Sequence, residues 1–358
     1  MNVRDKRQEE FAQAFIDTGE FGILNLCPRF GKIYTSINII EKTKPETILI
    51  AYPESNIKLS WQRDFKKRGY DDSQVIYTTH LSLKKYIGRS YDLVILDEIH
   101  LLSPAQVLAT QELLCTNKKV LGLTGTLASW TRRHLLQNLK LPVVAYYPIT
   151  IAIEEGVITD YEINVVSVGL DDRVIRTYGK KEMTEKTRFS SYTYVIKKLE
   201  EEGKDTKFLR LARVAFIQGS LAKISKTKEL LNLHKNERVL VFCGLTKIAD
   251  SLGIPSFHSK STEKKTFDDF ANGLGSQLAV IKIGNTGVTY KPLDRVIINY
   301  FDSNSENMAQ RINRCMGMEY NNPEKKAKIY IVTSNEEAEL EWLRKGLEFF
   351  DPEKINYV

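Results

Sequence analysis

Short apolar runs alternate with longer helix-like stretches throughout the first 145 residues of the chain. Strands that alternate with helices form βαβ units, which build a parallel sheet covered by helices on both faces. Such sheets bind ligands at the carboxyl ends of their strands. The pattern therefore predicts an α/β domain with its functional residues at that edge. The predicted strands are residues 22–26, 47–52, 75–77, 93–96, 120–123 and 143–146.

A second alternation of the same kind occupies the other half of the chain, with predicted strands at 239–243, 279–283, 295–299 and 328–332. At 358 residues the chain is also too long for one ordinary core. We therefore predict two parallel-sheet domains in tandem, residues 1–150 and 166–358, joined by a linker at 151–165. A run of charge predicts an exposed helical insertion at about 171–215.

The bulk properties narrow the class of protein. A formal net charge of +7 favours an anionic partner such as nucleic acid, although an ordinary basic protein fits equally well. The four cysteines are far apart and form no CxxC pair, which indicates neither a disulfide framework nor a zinc site. No segment resembles a signal peptide or a membrane span of about 20 apolar residues. We expect a cytoplasmic protein.

An acidic pair, Asp97-Glu98, directly follows the apolar run 93–96 and is itself followed by Ile99-His100. At the carboxyl end of a buried strand, two carboxylates suit a nucleotide hydrolase, in which one holds a metal ion and the other activates water. Acidic pairs are also common on solvated loops and at the starts of helices. The interpretation therefore depends on the motifs that accompany the pair.

A candidate phosphate-binding loop, Cys27-Pro28-Arg29-Phe30-Gly31-Lys32-Ile33, lies between the first predicted strand and a helical run. There, backbone N–H groups and the helix amino terminus would face phosphates, and Lys32 would reach the β and γ oxygens. The pattern GxxxxGK[ST] requires a hydroxyl where this chain has Ile33, and that hydroxyl normally binds Mg²⁺. An ordinary turn before a helix is the alternative. Together with Asp97 and Glu98, the loop predicts Mg²⁺-dependent phosphoryl transfer.

The order of these motifs resembles that of the superfamily 2 helicases and translocases. The resemblance rests on Pro28 to Lys32, Asp97 to His100, Thr124-Gly125-Thr126 and Gln310-Arg311-Ile312-Asn313-Arg314, and it spans roughly residues 4–335. It implies two RecA-like domains with ATP in the cleft between them. The chain is most similar to compact phage or type III restriction-related DNA helicases, which implies the host cytoplasm if it is phage-encoded.

The resemblance also implies a role for each matching residue. The catalytic set would be Lys32, Asp97, Glu98, Gln310 and Arg314, with Asp97 on Mg²⁺ and Arg314 acting as an arginine finger. Coupling of hydrolysis to motion would fall to Thr124, Gly125 and Thr126. Contacts to ATP would come from Gln8, Pro28, Arg29, Phe30, Gly31, Lys32, Ile33 and Gly287, and Gln8 resembles an adenine-reading glutamine.

In this family a nucleic-acid strand is contacted mainly through its phosphates, with little sequence preference. The corresponding residues here are Ser55, Thr78, Thr79, Thr246, His258, Lys260 and Thr286. Polar residues at strand ends also serve as helix caps, so each has a structural alternative. The charged insertion would be either a solvated helical surface or an element that grips or separates a duplex.

Two positions depart from the family pattern. Ile33 removes a metal ligand, and Gly317 stands where a further arginine is expected, a residue type that contributes about 10³ or more to the rate. Arg311 and Arg314 are candidates to compensate. The leading interpretation is an ATP-dependent DNA helicase or translocase, and we expect a monomer. The alternatives are a degenerate helicase fold that binds nucleic acid with weak or no ATPase activity, and an RNA helicase.

Overall fold

The computed structural model describes residues 2–125, 127, 135, 137–261, 264–281, 290–302, 304–317 and 325–358. The chain divides into two compact units. The first contains the residues up to Asp160 and a later segment that includes Met316 and Gly317. The second contains most of the chain from Tyr161 onward. None of the described helices is long and apolar enough to cross a membrane.

The first unit is built on a six-stranded, all-parallel sheet with the order β3-β2-β4-β5-β1-β6. Its strands are β1 Phe21–Leu26, β2 Ile48–Tyr52, β3 Val75–Thr79, β4 Leu93–Leu96, β5 Val120–Thr124 and β6 Val143–Tyr147. Every residue of β2, β4 and β5 is buried. Continuous burial is expected of parallel strands that are covered on both faces, which explains their unbroken apolar sequences.

The helices of the first unit connect these strands. They are α1 Val3–Asp17, α2 Lys32–Thr43, α3 Asn56–Arg68, α4 Pro104–Leu114 and α5 Ile149–Glu154, with short 3-10 helices at His80–Tyr86 and Ile99–Leu101. Strands β4, β5 and β1 are consecutive in the sheet. Because they are parallel, their carboxyl ends lie side by side at one edge, where the predicted site residues follow them.

The second unit has a seven-stranded parallel sheet with the order β11-β12-β10-β13-β14-β7-β15. Its strands are β7 Tyr161–Val168, β10 Val239–Phe242, β11 Ser256–Phe257, β12 Gln277–Val280, β13 Arg295–Ile298, β14 Ala327–Ser334 and β15 Ile355–Tyr357. A separate antiparallel hairpin pairs β8 Arg176–Tyr178 with β9 Lys181–Met183. The prediction of two parallel-sheet α/β domains is therefore confirmed.

The helices of the second unit include two that lie in the predicted insertion, α6 Glu185–Glu201 and α7 Lys207–Gln218. The others are α8 Leu221–Leu233, α9 Thr246–Ser251, α10 Lys265–Ala271, α11 Ser305–Ile312 and α12 Glu337–Gly346, with a 3-10 helix at Pro352–Lys354. Phe189 of the insertion forms a small buried cluster with Leu170 and Ile217, which flank the predicted bounds. The prediction that the insertion is helical is wrong in its first part, because that part contains the hairpin of β8 and β9.

The structure differs from the predicted linker at 151–165. The segment begins within α5, and from Tyr161 it forms the start of β7, which pairs with β14 and β15. Polar residues such as Glu162 and Asn164 interrupt the apolar run of β7 and obscure it in the sequence. The chain therefore enters the second sheet at Tyr161 rather than at residue 166.

A buried ion pair links two helices of the second unit. The ammonium of Lys223 in α8 donates to Glu339 in α12, and their side chains are 0% and 2% exposed. The other carboxylate oxygen of Glu339 accepts the backbone N–H of Ser334 at 2.6 Å. The ammonium also lies 5.3 Å from the centroid of the Phe301 ring. Since neither charge reaches water, each depends on the other for compensation.

We predict that Lys223→Met lowers the free energy of unfolding by about 3–5 kcal/mol, because the carboxylate of Glu339 would remain buried without its cation. Urea unfolding followed by circular dichroism measures this loss. The double variant Lys223→Met/Glu339→Leu should recover much of it, because both charges are then removed.

The matched control is Lys345→Met, which breaks an i,i+4 pair with Glu341 whose side chains are 58% and 54% exposed. Solvent screening limits such a pair to about 0.5 kcal/mol. Equal losses in Lys223→Met and Lys345→Met would contradict the importance of the buried pair.

Candidate active site

The predicted phosphate-loop lysine and the acidic pair meet at the edge formed by β1, β4 and β5. The Nζ atom of Lys32 donates to Oε1 of Glu98 over 2.6 Å, although the two residues are 66 positions apart. Their side chains are 14% and 21% exposed, so water reaches the pair. The structure thus brings together two of the residues that the sequence assigns to one phosphoryl-transfer site.

Asp97 is held in a fixed orientation beside that pair. Its Oδ2 accepts the indole N–H of Trp61 at 2.9 Å, and its Oδ1 accepts the backbone N–H of Glu98 at 3.0 Å. Burial, and then the charge of Glu98, raise the pKa of Asp97 to about 6, against opposing effects of Lys32 and the indole. Trp61 belongs to α3, and no local feature of the sequence indicates that it supports the carboxylate.

His100 connects the acidic segment to the end of β5. Its Nδ1 lies 2.8 Å from Oγ1 of Thr124 and 3.5 Å from Oε2 of Glu98. Burial lowers the pKa of His100 to about 4, so its ring is neutral at pH 7. Thr124, a predicted coupling residue, is therefore in direct contact with the segment that carries Asp97 and Glu98. Thr126 lies outside the described residues.

The phosphate loop has an unusual backbone. Arg29 and Gly31 have φ angles of 68° and 103°, both in the left-handed region. A Cβ atom on Gly31 would lie 2.6 Å from Nε2 of Gln8, so the close approach requires glycine. A Cβ on Gly125 would lie 3.1 Å from Cγ of Pro28 and 3.3 Å from Nζ of Lys32. The predicted coupling segment thus packs directly against the loop.

Aromatic packing anchors the same loop. The ring of Phe30 is buried, with its centroid 5.6 Å from that of Phe11 and 4.9 Å from that of Tyr147. Gln8, which is only 4% exposed, donates its amide to the carbonyl of Phe30 at 3.0 Å. Phe30 and Gln8 therefore anchor the phosphate loop to α1 and β6. The adenine-reading role that the resemblance implies for Gln8 stays a prediction.

Ile33 is partly buried in the first turn of α2 and supplies no oxygen to the site. Within the part of the chain that the structure describes, no cluster of three or more His, Cys, Asp or Glu residues could hold a metal ion. Mg²⁺ usually keeps several waters and binds one or two carboxylates together with substrate phosphates. Asp97, whose two oxygens are already oriented by hydrogen bonds, fits such an arrangement.

The arginines of the second unit are in different environments. Arg311 is buried, donates to the carbonyl of Tyr300 at 2.8 Å and lies 5.0 Å from the centroid of that ring. This packing opposes the prediction that Arg311 compensates for Gly317. Gln310 and Arg314 are partly exposed near the end of α11, and their catalytic roles stay predictions.

The candidate nucleic-acid residues of the first unit divide by exposure. Ser55 is exposed at the start of α3, and Thr79 is partly exposed at the end of β3. Thr78 is only 6% exposed, and its contact with a nucleic-acid strand stays a prediction. Lys58, in the first turn of α3, is exposed, with its ammonium 5.3 Å from the centroid of Tyr77.

In the second unit, Thr246 begins α9 and is partly exposed, and Lys260 is exposed. His258 is buried in a turn, where its Nε2 lies 3.1 Å from Oδ1 of Asp250 and its Nδ1 accepts the N–H of Lys260 at 3.3 Å. These bonds favour the structural alternative for His258. The predicted contacts Thr286 and Gly287 lie outside the described residues.

Comparisons with known proteins agree with this architecture. Residues 222–318 match the family model of the helicase conserved C-terminal domain. A curated relative, the DNA 3'-5' translocase XPB2 of Sulfurisphaera tokodaii, is 23% identical over 254 residues, which cover 64% of this chain and 57% of the relative. These matches, the motif order and the two parallel sheets together support the assignment of the chain to the superfamily 2 helicases.

Two solved structures show the same fold. The alignment with the Pyrococcus furiosus Hef helicase domain has a TM-score of 0.53 at 14% identity and covers 97% of this chain and 98% of the Hef chain. An S. cerevisiae Dbp5 variant bound to RNA and ADP BeF3 gives 0.63 at 12% identity, with 99% and 89% covered. The chain aligns with little more than half of the XPB2 relative, and the narrower likeness to phage or type III enzymes stays a prediction.

We predict that Trp61→Phe lowers the free energy of unfolding by about 2 kcal/mol at pH 8, measured by urea unfolding in a chelator. The variant keeps an aromatic ring but removes the N–H that Asp97 accepts. The loss should be smaller at pH 5. Because the folded-state pKa of Asp97 is raised, its ionised form opposes folding increasingly as pH rises from about 4 to about 6, and the indole stabilises that form.

Trp342→Phe, a substitution in α12, is the matched control, and its effect should not follow the titration of Asp97. A Trp61→Phe loss that is equal at pH 5 and pH 8 would contradict the role of the indole hydrogen bond.

Proposed function

We propose that this superfamily 2 protein is an ATPase that moves on or remodels DNA in the cytoplasm. The observation that carries the proposal is the pairing of Lys32 with Glu98 beside the oriented carboxylate of Asp97. Phosphoryl transfer requires positioned cations and a positioned water more than covalent chemistry. The first unit contains a group for each requirement.

Each group has a distinct role in this proposal. The loop N–H groups at the start of α2 and the ammonium of Lys32 bind the β and γ phosphates. Asp97 would hold a hydrated Mg²⁺ ion, which would neutralise charge on the phosphate oxygens. Glu98 orients the attacking water and accepts its proton. His100 and Thr124 then connect Glu98 to the coupling segment after β5.

In this proposal, the ion pair between Lys32 and Glu98 is the resting state of the site. While Lys32 donates to Glu98, that carboxylate oxygen is engaged by the ammonium and is not available to a water molecule. A phosphate group competes for the same ammonium, since it also forms strong charge-assisted hydrogen bonds. ATP would therefore release Glu98 as it binds, so that the base becomes available when its substrate is present.

DNA is the favoured partner, because the XPB2 relative is named as a DNA translocase and the chain has a net charge of +7. Ser55, Thr79, Thr246 and Lys260 remain the candidate phosphate contacts. The Dbp5 structure contains RNA on the same fold, so an RNA substrate is the alternative within the same chemistry. We expect low sequence specificity and a monomer.

A second candidate function is nucleic-acid binding with weak or no hydrolysis. The observation that favours it is the pair of departures at Ile33 and Gly317, which remove a metal-ligand hydroxyl and a charge stabiliser. A protein of this kind would keep its affinity for DNA while turning over little ATP. The double variant Ile33→Thr/Gly317→Arg restores the hydroxyl and the arginine. Its rate of ATP hydrolysis should exceed that of the wild type only if the absence of these two groups limits the wild-type rate.

We predict that ATP hydrolysis by the wild type rises when DNA is added, and that Glu98→Gln lowers kcat by about 10² or more because the general base is lost. The same variant should bind ATP more tightly, because Lys32 no longer has a competing carboxylate. Steady-state kinetics with single-stranded, double-stranded and branched DNA, and with matched RNA, measure the rate. Equilibrium titration measures the affinity for ATP.

Glu112→Gln, an exposed substitution on α4, is the matched control and should leave both quantities unchanged. If the wild type is no faster than Glu98→Gln with any nucleic acid, the motor proposal is wrong and binding without hydrolysis is supported. Stimulation by RNA but not by matched DNA would instead identify an RNA enzyme.

A further inference from the structure

Gly317 lies beside the phosphate loop. The backbone around it is attached to the end of the first unit, where the N–H of Thr159 donates to Met316 at 3.2 Å and its hydroxyl donates to the carbonyl of Gly317 at 3.1 Å. A Cβ atom built on Gly317 would lie 4.0 Å from Cζ of Arg29. A guanidinium therefore already stands next to the position that lacks an arginine side chain.

The backbone of Arg29 has a conformation that is unfavourable for residues other than glycine. Its φ of 68° is in the left-handed region, which glycine adopts freely and which other residues enter at a cost. Residues kept in such conformations concentrate at functional sites, because the side chain contributes something that glycine lacks. A long, permanently charged side chain is one contribution that Arg29 makes and glycine cannot.

The chemistry of Arg29 suits the same site. Its guanidinium is planar, always charged and able to bind phosphate oxygens through two parallel hydrogen bonds. It lies three positions before Lys32, in the loop that leads into the 12-residue helix α2. Arg311, in contrast, is packed on Tyr300.

We propose that Arg29 is a catalytic residue that contacts the terminal phosphate of ATP and replaces the arginine missing at position 317. This inference rests on the proposed ATPase function. In the reaction, the water oxygen bonds to the γ-phosphorus as the bond to the β–γ bridging oxygen breaks. Glu98 takes the proton of the water, and ADP leaves with the bonding electrons. Arg29 compensates the negative charge on the γ-phosphate and bridging oxygens.

The deciding experiment is Arg29→Gly, because a structural and a catalytic role predict opposite results. Glycine relieves the left-handed backbone, so the midpoint of thermal unfolding should stay unchanged or rise. We expect kcat to fall by about 10² to 10³. Binding of ADP with aluminium fluoride, which mimics the transferring phosphate, should weaken much more than binding of ADP. Arg29→Lys should recover part of the rate, since it keeps the charge without the planar fork.

Lys44→Gly is the matched control. Lys44 is an exposed cation with a φ of 49° at the carboxyl end of α2, so its replacement relieves the same kind of strain away from the loop. Its stability should change as in Arg29→Gly, while its kcat should match the wild type.

The double variant Arg29→Gly/Gly317→Arg tests whether one arginine replaces the other. Its kcat should be at least tenfold higher than that of Arg29→Gly. An Arg29→Gly variant with wild-type kcat and wild-type aluminium-fluoride binding overturns the proposal. If Arg29→Gly is slow and the double variant is no faster, Arg29 does not replace the arginine that is missing at position 317.

Failure of the proposed ATPase function is recognised separately, because the wild type itself would then show no turnover. In that case the affinity for ATP decides the role of Arg29. Equal ATP affinities in the wild type and Arg29→Gly overturn a phosphate contact, whereas weaker ATP binding with unchanged ADP binding supports it.

Discussion

The ion pair between Lys32 and Glu98 is the contact around which the first unit is organised. It joins the segments that follow β1 and β4, and it forms only because those strands, with β5 between them, end at one edge of a parallel sheet. The neighbouring contacts keep its members in place. Trp61 orients Asp97, Thr124 contacts His100, and the aromatic packing of Phe30 fixes the loop from behind. The candidate phosphate-binding site is thus supported by packing that is mostly apolar.

Part of the backbone strain of the protein lies in the same small region. Arg29 and Glu98 both have left-handed backbones, although neither is glycine. The carboxylate of Asp97 is buried, which raises its pKa and opposes folding when it is ionised. None of these features stabilises the fold, so the rest of the unit must over-determine them. Features that lower stability, when they occur within an otherwise regular scaffold, usually mark a functional site.

The second unit uses a different stabilising device, the buried pair of Lys223 and Glu339, and it carries the family signature at residues 222–318. Its fold is shared with enzymes whose names point to DNA and with a structure that contains RNA. Fold therefore does not select the nucleic acid, since substrate choice depends on side chains at the surface. Among the candidate contacts, Ser55 and Lys260 are exposed and Thr79 is partly exposed, whereas Thr78 and His258 are buried.

The sequence by itself determined the two parallel sheets, all six strands of the first and the chain positions of Lys32, Asp97 and Glu98. It could do so because buried parallel strands require unbroken apolar runs and motifs follow their carboxyl ends. It missed β7, whose apolar run is interrupted, and the short strands β8, β9, β11 and β15, which show no period. Strands β8 and β9 lie in a segment that the sequence predicts to be helical. The tertiary structure alone decided that Trp61 binds Asp97, that Gln8 supports the loop and that Arg29 lies beside Gly317. Contacts between residues so distant in the chain leave no local pattern, because they depend on which side chains the folded backbone brings together.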